Sequence, residues 1–96
     1  MLELEERYRK DPSIVSREIA GEVILVPIRR NVSDLESIFT LNETGARMWS
    51  MLDEQHTLGE ICDQLQVEYE VTAEEACQDL FELVTQLQEI NAIVKA

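Results

Sequence analysis

The sequence predicts an α+β domain in which a three-stranded antiparallel sheet is followed by three helices. Three observations carry this. Two β-like runs near the start are joined by a glycine turn, a short third run follows at 37–41, and helix-start signatures begin at Asn42, Thr57 and Thr72. At 96 residues and 45% hydrophobic, the chain can build one compact core, with little left over for a deep active-site cavity.

Residues 1–13, MLELEERYRKDPS, are charged and lack an apolar period. They read as a frayed or loosely docked helix ending at Asp11-Pro12, distinct from the domain at 14–96. The first strand is 14–19, with Val15, Arg17 and Ile19 in alternation. The second, 23–28, is apolar almost throughout, as a central strand is. Ala20-Gly21-Glu22 between them supplies the glycine a tight hairpin needs. Pro27 cannot donate to a ladder, so pairing weakens there. Residues 29–36 form a polar loop, and 37–41 is the third strand. In a meander with the second strand central, the first and third are edges.

The helices are well signposted. Asn42 is an N-cap that places Glu43 in the first turn, where the helix dipole favours an anion. Ala46, Trp49 and Leu52 recur at helical spacing, with Met48 beside them. Thr57-Leu-Gly-Glu60 is a capping box opening a second helix with Leu58, Ile61, Cys62 and Leu65 inward. Thr72-Ala-Glu-Glu75 is another, with Val71 set to staple onto Ala76. The third helix is the longest and carries Ala76, Leu80, Leu83, Leu87 and Ile90 along one side. Asn91 suits a left-handed stop, and Ala92-Ile93-Val94 trails off extended.

The order is that of a winged helix-turn-helix, a frame often used on DNA, but frame is not function. The third helix offers Glu74, Glu75, Asp79, Glu82 and Glu89 where a recognition helix wants cations and amides. A net charge of −12 would repel a phosphate backbone, so nucleic acid is excluded as a partner class. No apolar run reaches a membrane span, and the charged start is no signal peptide, so a cytoplasmic location without membrane association is the default.

Catalytic signals are weak. His56 is the only histidine and sits in a loop, and the three glycines are too scattered for a phosphate loop. Cys62 and Cys77 lie on inward helical faces and read as reduced, buried thiols. Nothing here implies an enzyme, a cofactor or a metal.

Binding carries more weight. A free edge strand shows unpaired N–H and C=O groups, usually protected by charge, proline or a bulge. The third strand has none of these within it, although Asp34 and Glu36 precede it. Cys77, Phe81 and Gln88 flank the stripe on the third helix, where Phe81 is either the rim of the core or the floor of a groove. A groove between an open strand and a helix is what strand addition uses: main-chain bonds give affinity, and pockets for alternate side chains give selectivity. An adaptor that pairs the same edge with another protein, or with itself as a homodimer, is the alternative.

The runs TLNETGARMWSMLDEQHTLGEICDQL and EVTAEEACQDLFELVTQLQEINAIV resemble the PqqD family, also called RiPP precursor peptide recognition elements. The shared pattern is a strand ending in Leu-Asn, a small-residue turn, an apolar-Trp helix, a Thr-capped second helix, and a third helix with a short apolar tail. The resemblance implies a non-catalytic peptide chaperone. It would bind the leader of a ribosomally made precursor and present it to a modifying enzyme, often a radical SAM protein. Carried over by position, it implicates Ile38, Phe39, Thr40 and Leu41, with Cys77, Phe81, Val84 and Gln88 across the groove, and Ser37 joins them as the first residue of the open third strand. Many relatives have Asp-Gly where this chain has Asp53-Glu54, and Gly where it has Asn91. Were the leader acidic, Arg29 and Arg30 near the sheet would be its attractive contacts.

Overall fold

The computed structural model describes residues 3–27 and 39–96. Within them the order is β1 (Tyr8–Lys10), β2 (Ile14–Ile19), β3 (Glu22–Pro27), β4 (Phe39–Leu41), α1 (Glu43–Met51), α2 (Leu58–Tyr69), α3 (Ala73–Glu89) and β5 (Ile93–Lys95). The three-stranded sheet has the order β2-β3-β4, with β3 central as its apolar sequence demands. Ile19 pairs with Glu22, leaving Ala20 and Gly21 as a two-residue turn. Their φ values of 52° and 85° are both left-handed, as a type I′ hairpin turn requires. Pro27 lies opposite Ile14 at the end of the ladder, where a missing N–H does least harm. Of the residues the sequence assigns to the site, Ser37, Ile38, Arg29 and Arg30 lie outside the described residues.

The amino-terminal segment corrects the expectation of a frayed helix. Tyr8, Arg9 and Lys10 pair with Lys95, Val94 and Ile93, giving a second, two-stranded antiparallel sheet. The segment before β1 is held at the start of α2, whose first amides have no partner within their own helix. The amide of Leu58 donates to the Glu6 carbonyl at 2.9 Å, and that of Gly59 to the Leu4 carbonyl at 2.8 Å. Glu54 donates likewise to Tyr8 at 2.8 Å. A helix over the same residues would turn those carbonyls onto itself. The charged sequence hides one anchor, because the Tyr8 side chain is only 2% exposed and belongs to the core.

The helix caps follow the sequence. Asn42 Oδ1 accepts the Gly45 amide at 2.8 Å. Thr57 and Glu60 form the full reciprocal box, at 3.1 and 2.8 Å. At α3, Thr72 Oγ1 accepts the Glu75 amide at 3.1 Å, while the Glu75 carboxylate takes the Thr72 hydroxyl at 3.0 Å. That second box closes through the hydroxyl rather than the backbone amide. Asn91 ends α3 with φ 58°, as its tolerance of the left-handed region allows.

One core joins the sheet to the helices. Leu25 of β3, Leu58, Ile61 and Leu65 of α2, and Leu80, Val84 and Leu87 of α3 are almost wholly enclosed. Each such aliphatic side chain contributes about 1.5–3 kcal/mol of burial. Lys10 lays its ammonium 5.2 Å from the centroid of the buried Trp49 ring, a cation–π contact that ties β1 to α1. Among the described residues, no helix is long and apolar enough to cross a membrane.

Candidate functional site

Among the described residues, β4 is paired on one side only. Leu41, Thr40 and Phe39 lie opposite Val23, Ile24 and Leu25 of β3, and the sheet order ends there. Among the described residues the outer edge of β4 meets no further strand. A depression of about 450 Å³ lies against it. β4 supplies Phe39, Thr40 and Leu41, the start of α1 supplies Asn42, Thr44, Gly45 and Met48, and α3 supplies Asp79, Glu82, Leu83 and Gln86. Glu22, next to the Val23–Leu41 pair, completes it.

The floor is apolar and the rim polar. Leu41, Met48 and Leu83 are 2%, 3% and 8% exposed, whereas Glu22, Thr40, Asp79, Glu82 and Gln86 are exposed. Asp79, Glu82, Leu83 and Gln86 fall at i, i+3, i+4 and i+7, one side of a helix by its 3.6-residue period. Gly45 has a local reason. A Cβ there would meet Asn42 Oδ1 at 3.2 Å and Leu41 Cδ2 at 3.4 Å, crowding both the helix cap and the floor. The small residues after Leu41-Asn42 thus let α1 start close against β4.

The residues assigned from sequence divide accordingly. Phe39, Thr40 and Leu41 are brought together with α3. Cys77, Phe81, Val84 and Gln88 do not line this depression, because they occupy the opposite flank of the helix. Val84 is 0% exposed and belongs to the core. Cys77 and Phe81 are half-buried and pack against that core. Gln88 is exposed and donates to the Tyr8 hydroxyl at 3.4 Å. Sequence reasoning misses Asp79, Glu82 and Gln86 because charged and amide side chains flanking an amphipathic helix look like its solvent face. The period gives two flanks and no means of choosing between them.

Elsewhere the ionisable groups serve the fold. His56 Nδ1 lies 2.9 Å from Asp53 Oδ1, and that oxygen also accepts the amides of Gln55 and His56. The His56 contact first, and those amides after it, hold the Asp53 carboxyl down at about 2. This is a clasp on the α1–α2 connection. Burial, then the neighbouring Cys77 thiol, pushes the Cys62 thiol up to about 12, which keeps it protonated and a poor nucleophile. Among the described residues no group of three or more His, Cys, Asp or Glu is disposed to hold a metal ion.

Among curated proteins, none matches the sequence. Two solved structures match with high similarity of fold. TbiB1, solved in complex with the TbiA(beta) leader peptide, superposes with a TM-score of 0.74 at 27% identity, over 88% of this chain and 93% of that one. A lasso peptide synthetase B1 complexed with the leader peptide gives a TM-score of 0.77 at 26% identity, over 92% of this chain and 98% of that one. The family model of coenzyme PQQ synthesis protein D covers residues 22–93, a span that takes in the β3–β4 pair, all three helices and the start of β5. The chain belongs to the PqqD family.

Proposed function

We propose that the protein captures the leader of a ribosomally synthesised precursor peptide as a fourth strand along β4 and presents it to a modifying enzyme, doing no chemistry itself. The observation that carries this reading is the groove between the open edge of β4 and α3, on a chain whose solved structural neighbours are complexes with leader peptides. Main-chain bonds to Phe39, Thr40 and Leu41 give the peptide its register. Alternate side chains of the added strand then point at the floor of Leu41, Met48 and Leu83. The contact is small, so capture on its own is transient, as suits a protein that must hand its cargo on.

The test is calorimetric titration of the protein with leader peptides encoded by small reading frames beside its gene. Saturable binding of one leader per chain, with no binding of its scrambled sequence, is the expected result. Failure of every such leader to bind would overturn the reading.

A further inference from the structure

The groove is open to a peptide, and it is also charged. Asp79 and Glu82 stand on its α3 rim and Glu22 on its β3 side, and among the described residues no Lys or Arg lines it. Among the described residues none of these carboxylates has a cationic partner, while the ion pairs that do form lie elsewhere. Lys95 holds Glu6 at 2.7 Å and Arg47 holds Glu68 at 2.8 Å, and Lys10 is engaged with Trp49. An acidic side chain entering here would meet like charge, which disfavours the wrong partner in an interface.

Resting on the strand-addition reading, we propose that the groove selects leaders carrying Lys or Arg on the strand face turned toward α3. Such a side chain lays its aliphatic stem over the apolar floor at Leu83 and carries its charged head to the rim. Asp79 and Glu82 are three residues apart on one helix face, which sets their Cβ atoms roughly 5–6 Å from each other, within reach of a single long cation. Arginine adds a planar fork that meets carboxylates bidentately. The preference belongs to alternate positions of the peptide, because only every second side chain of an added strand faces the helix. An acidic leader is disfavoured along this side of the groove.

The test uses phage-displayed random dodecapeptides, selected on the protein and on two charge-matched double variants. One is Asp79→Lys with Glu82→Lys. The other, a control, is Asp63→Lys with Glu89→Lys, at exposed positions outside the groove. Synthetic forms of the enriched peptides are sorted by whether they shift the amides of Phe39, Thr40 and Leu41. Those that do are expected to carry Lys or Arg at one position, or at two positions two residues apart. Their affinity should fall about tenfold on the groove variant and change little on the control. Peptides that shift the β4 amides without a basic preference, or that weaken equally on both variants, would sink the charge selection and leave strand addition standing. If no enriched peptide shifts those amides, strand addition fails and this inference falls with it.

Discussion

Thr40 faces Ile24 across the sheet, and on its other side no strand of the described residues follows. The pair marks where the ladder of the described residues stops. Everything functional in the account is built on that unfinished edge and on the helix face beside it.

The two flanks of α3 are expected to respond differently. Phe39→Ala removes an aromatic from the groove wall and should weaken leader binding about tenfold, the scale of an interface anchor. Phe81→Ala, on the other flank, should cost about 2 kcal/mol of stability and leave affinity for the same peptide unchanged. Denaturant unfolding and calorimetric titration of both variants separate the effects. A loss of affinity in Phe81→Ala alone would return the groove to the flank with Cys77 and Gln88.

The amino-terminal strand is part of the folding unit. Tyr8→Ala empties a wholly enclosed site and should cost about 3 kcal/mol. Tyr8→Phe keeps the ring but loses the 3.0 Å bond to Glu6 and the contact from Gln88, for about 1 kcal/mol. Urea unfolding is the measurement. Near-equal costs for the two variants would mean that the hydroxyl, rather than the ring, anchors the strand.

The clasp at the chain ends carries a pH signature. The Lys95 ammonium, then the Glu3 amide, hold the Glu6 carboxyl at about 2 against an ordinary value of 4.5. A depressed carboxyl contributes stability that is complete above the ordinary value and is lost as pH falls toward the folded one. Asp53 and Glu68, also held at about 2, act in the same window. Melting temperature should therefore drop between about pH 4.5 and 2. Lys95→Met, which lets Glu6 rise, should make the drop shallower, and an unchanged slope would remove Glu6 from the account.

Besides Asn91, three of the described non-glycine residues sit in the left-handed region at a turn or helix end: Ala20 at φ 52°, Glu54 at 60° and Glu70 at 53°. Ala20→Asn, Glu54→Gly and Glu70→Gly should each raise stability by up to about 1 kcal/mol, because the left-handed conformation is strained for a Cβ-bearing residue and eased by Asn or Gly. Thermal melts of the three variants check this. Glu54 stands where the family resemblance puts the Gly of an Asp-Gly pair, and its φ of 60° is a conformation that Gly adopts without strain.

Much of the fold is legible in the residues. Asn42, Thr57 and Thr72 open the helices they are read to open, and the apolar run after Gly21 is the central strand. The amino terminus is not legible. Tyr8 is one aromatic among charges, and it and its neighbours Arg9 and Lys10 are extended because they pair with Lys95, Val94 and Ile93, far away in sequence, a pairing local pattern does not hold. The site is half legible. A bare edge at Phe39–Leu41 can be read from missing protection, but the side of α3 that faces it depends on how the helix rolls against the sheet. Local pattern does not hold that angle, and the acidic rim of Asp79 and Glu82 passes for ordinary solvent face.

The most direct test is an amide-resolved NMR study of the labelled protein with a leader peptide that it binds. Strand addition at β4 predicts cross-strand contacts between peptide backbone protons and those of Phe39, Thr40 and Leu41, slowed exchange of the β4 amides that point outward, and side-chain contacts to Leu83 and Met48. A bound leader whose contacts fall on β2, or on the Cys77–Phe81 flank with β4 unperturbed, would contradict it.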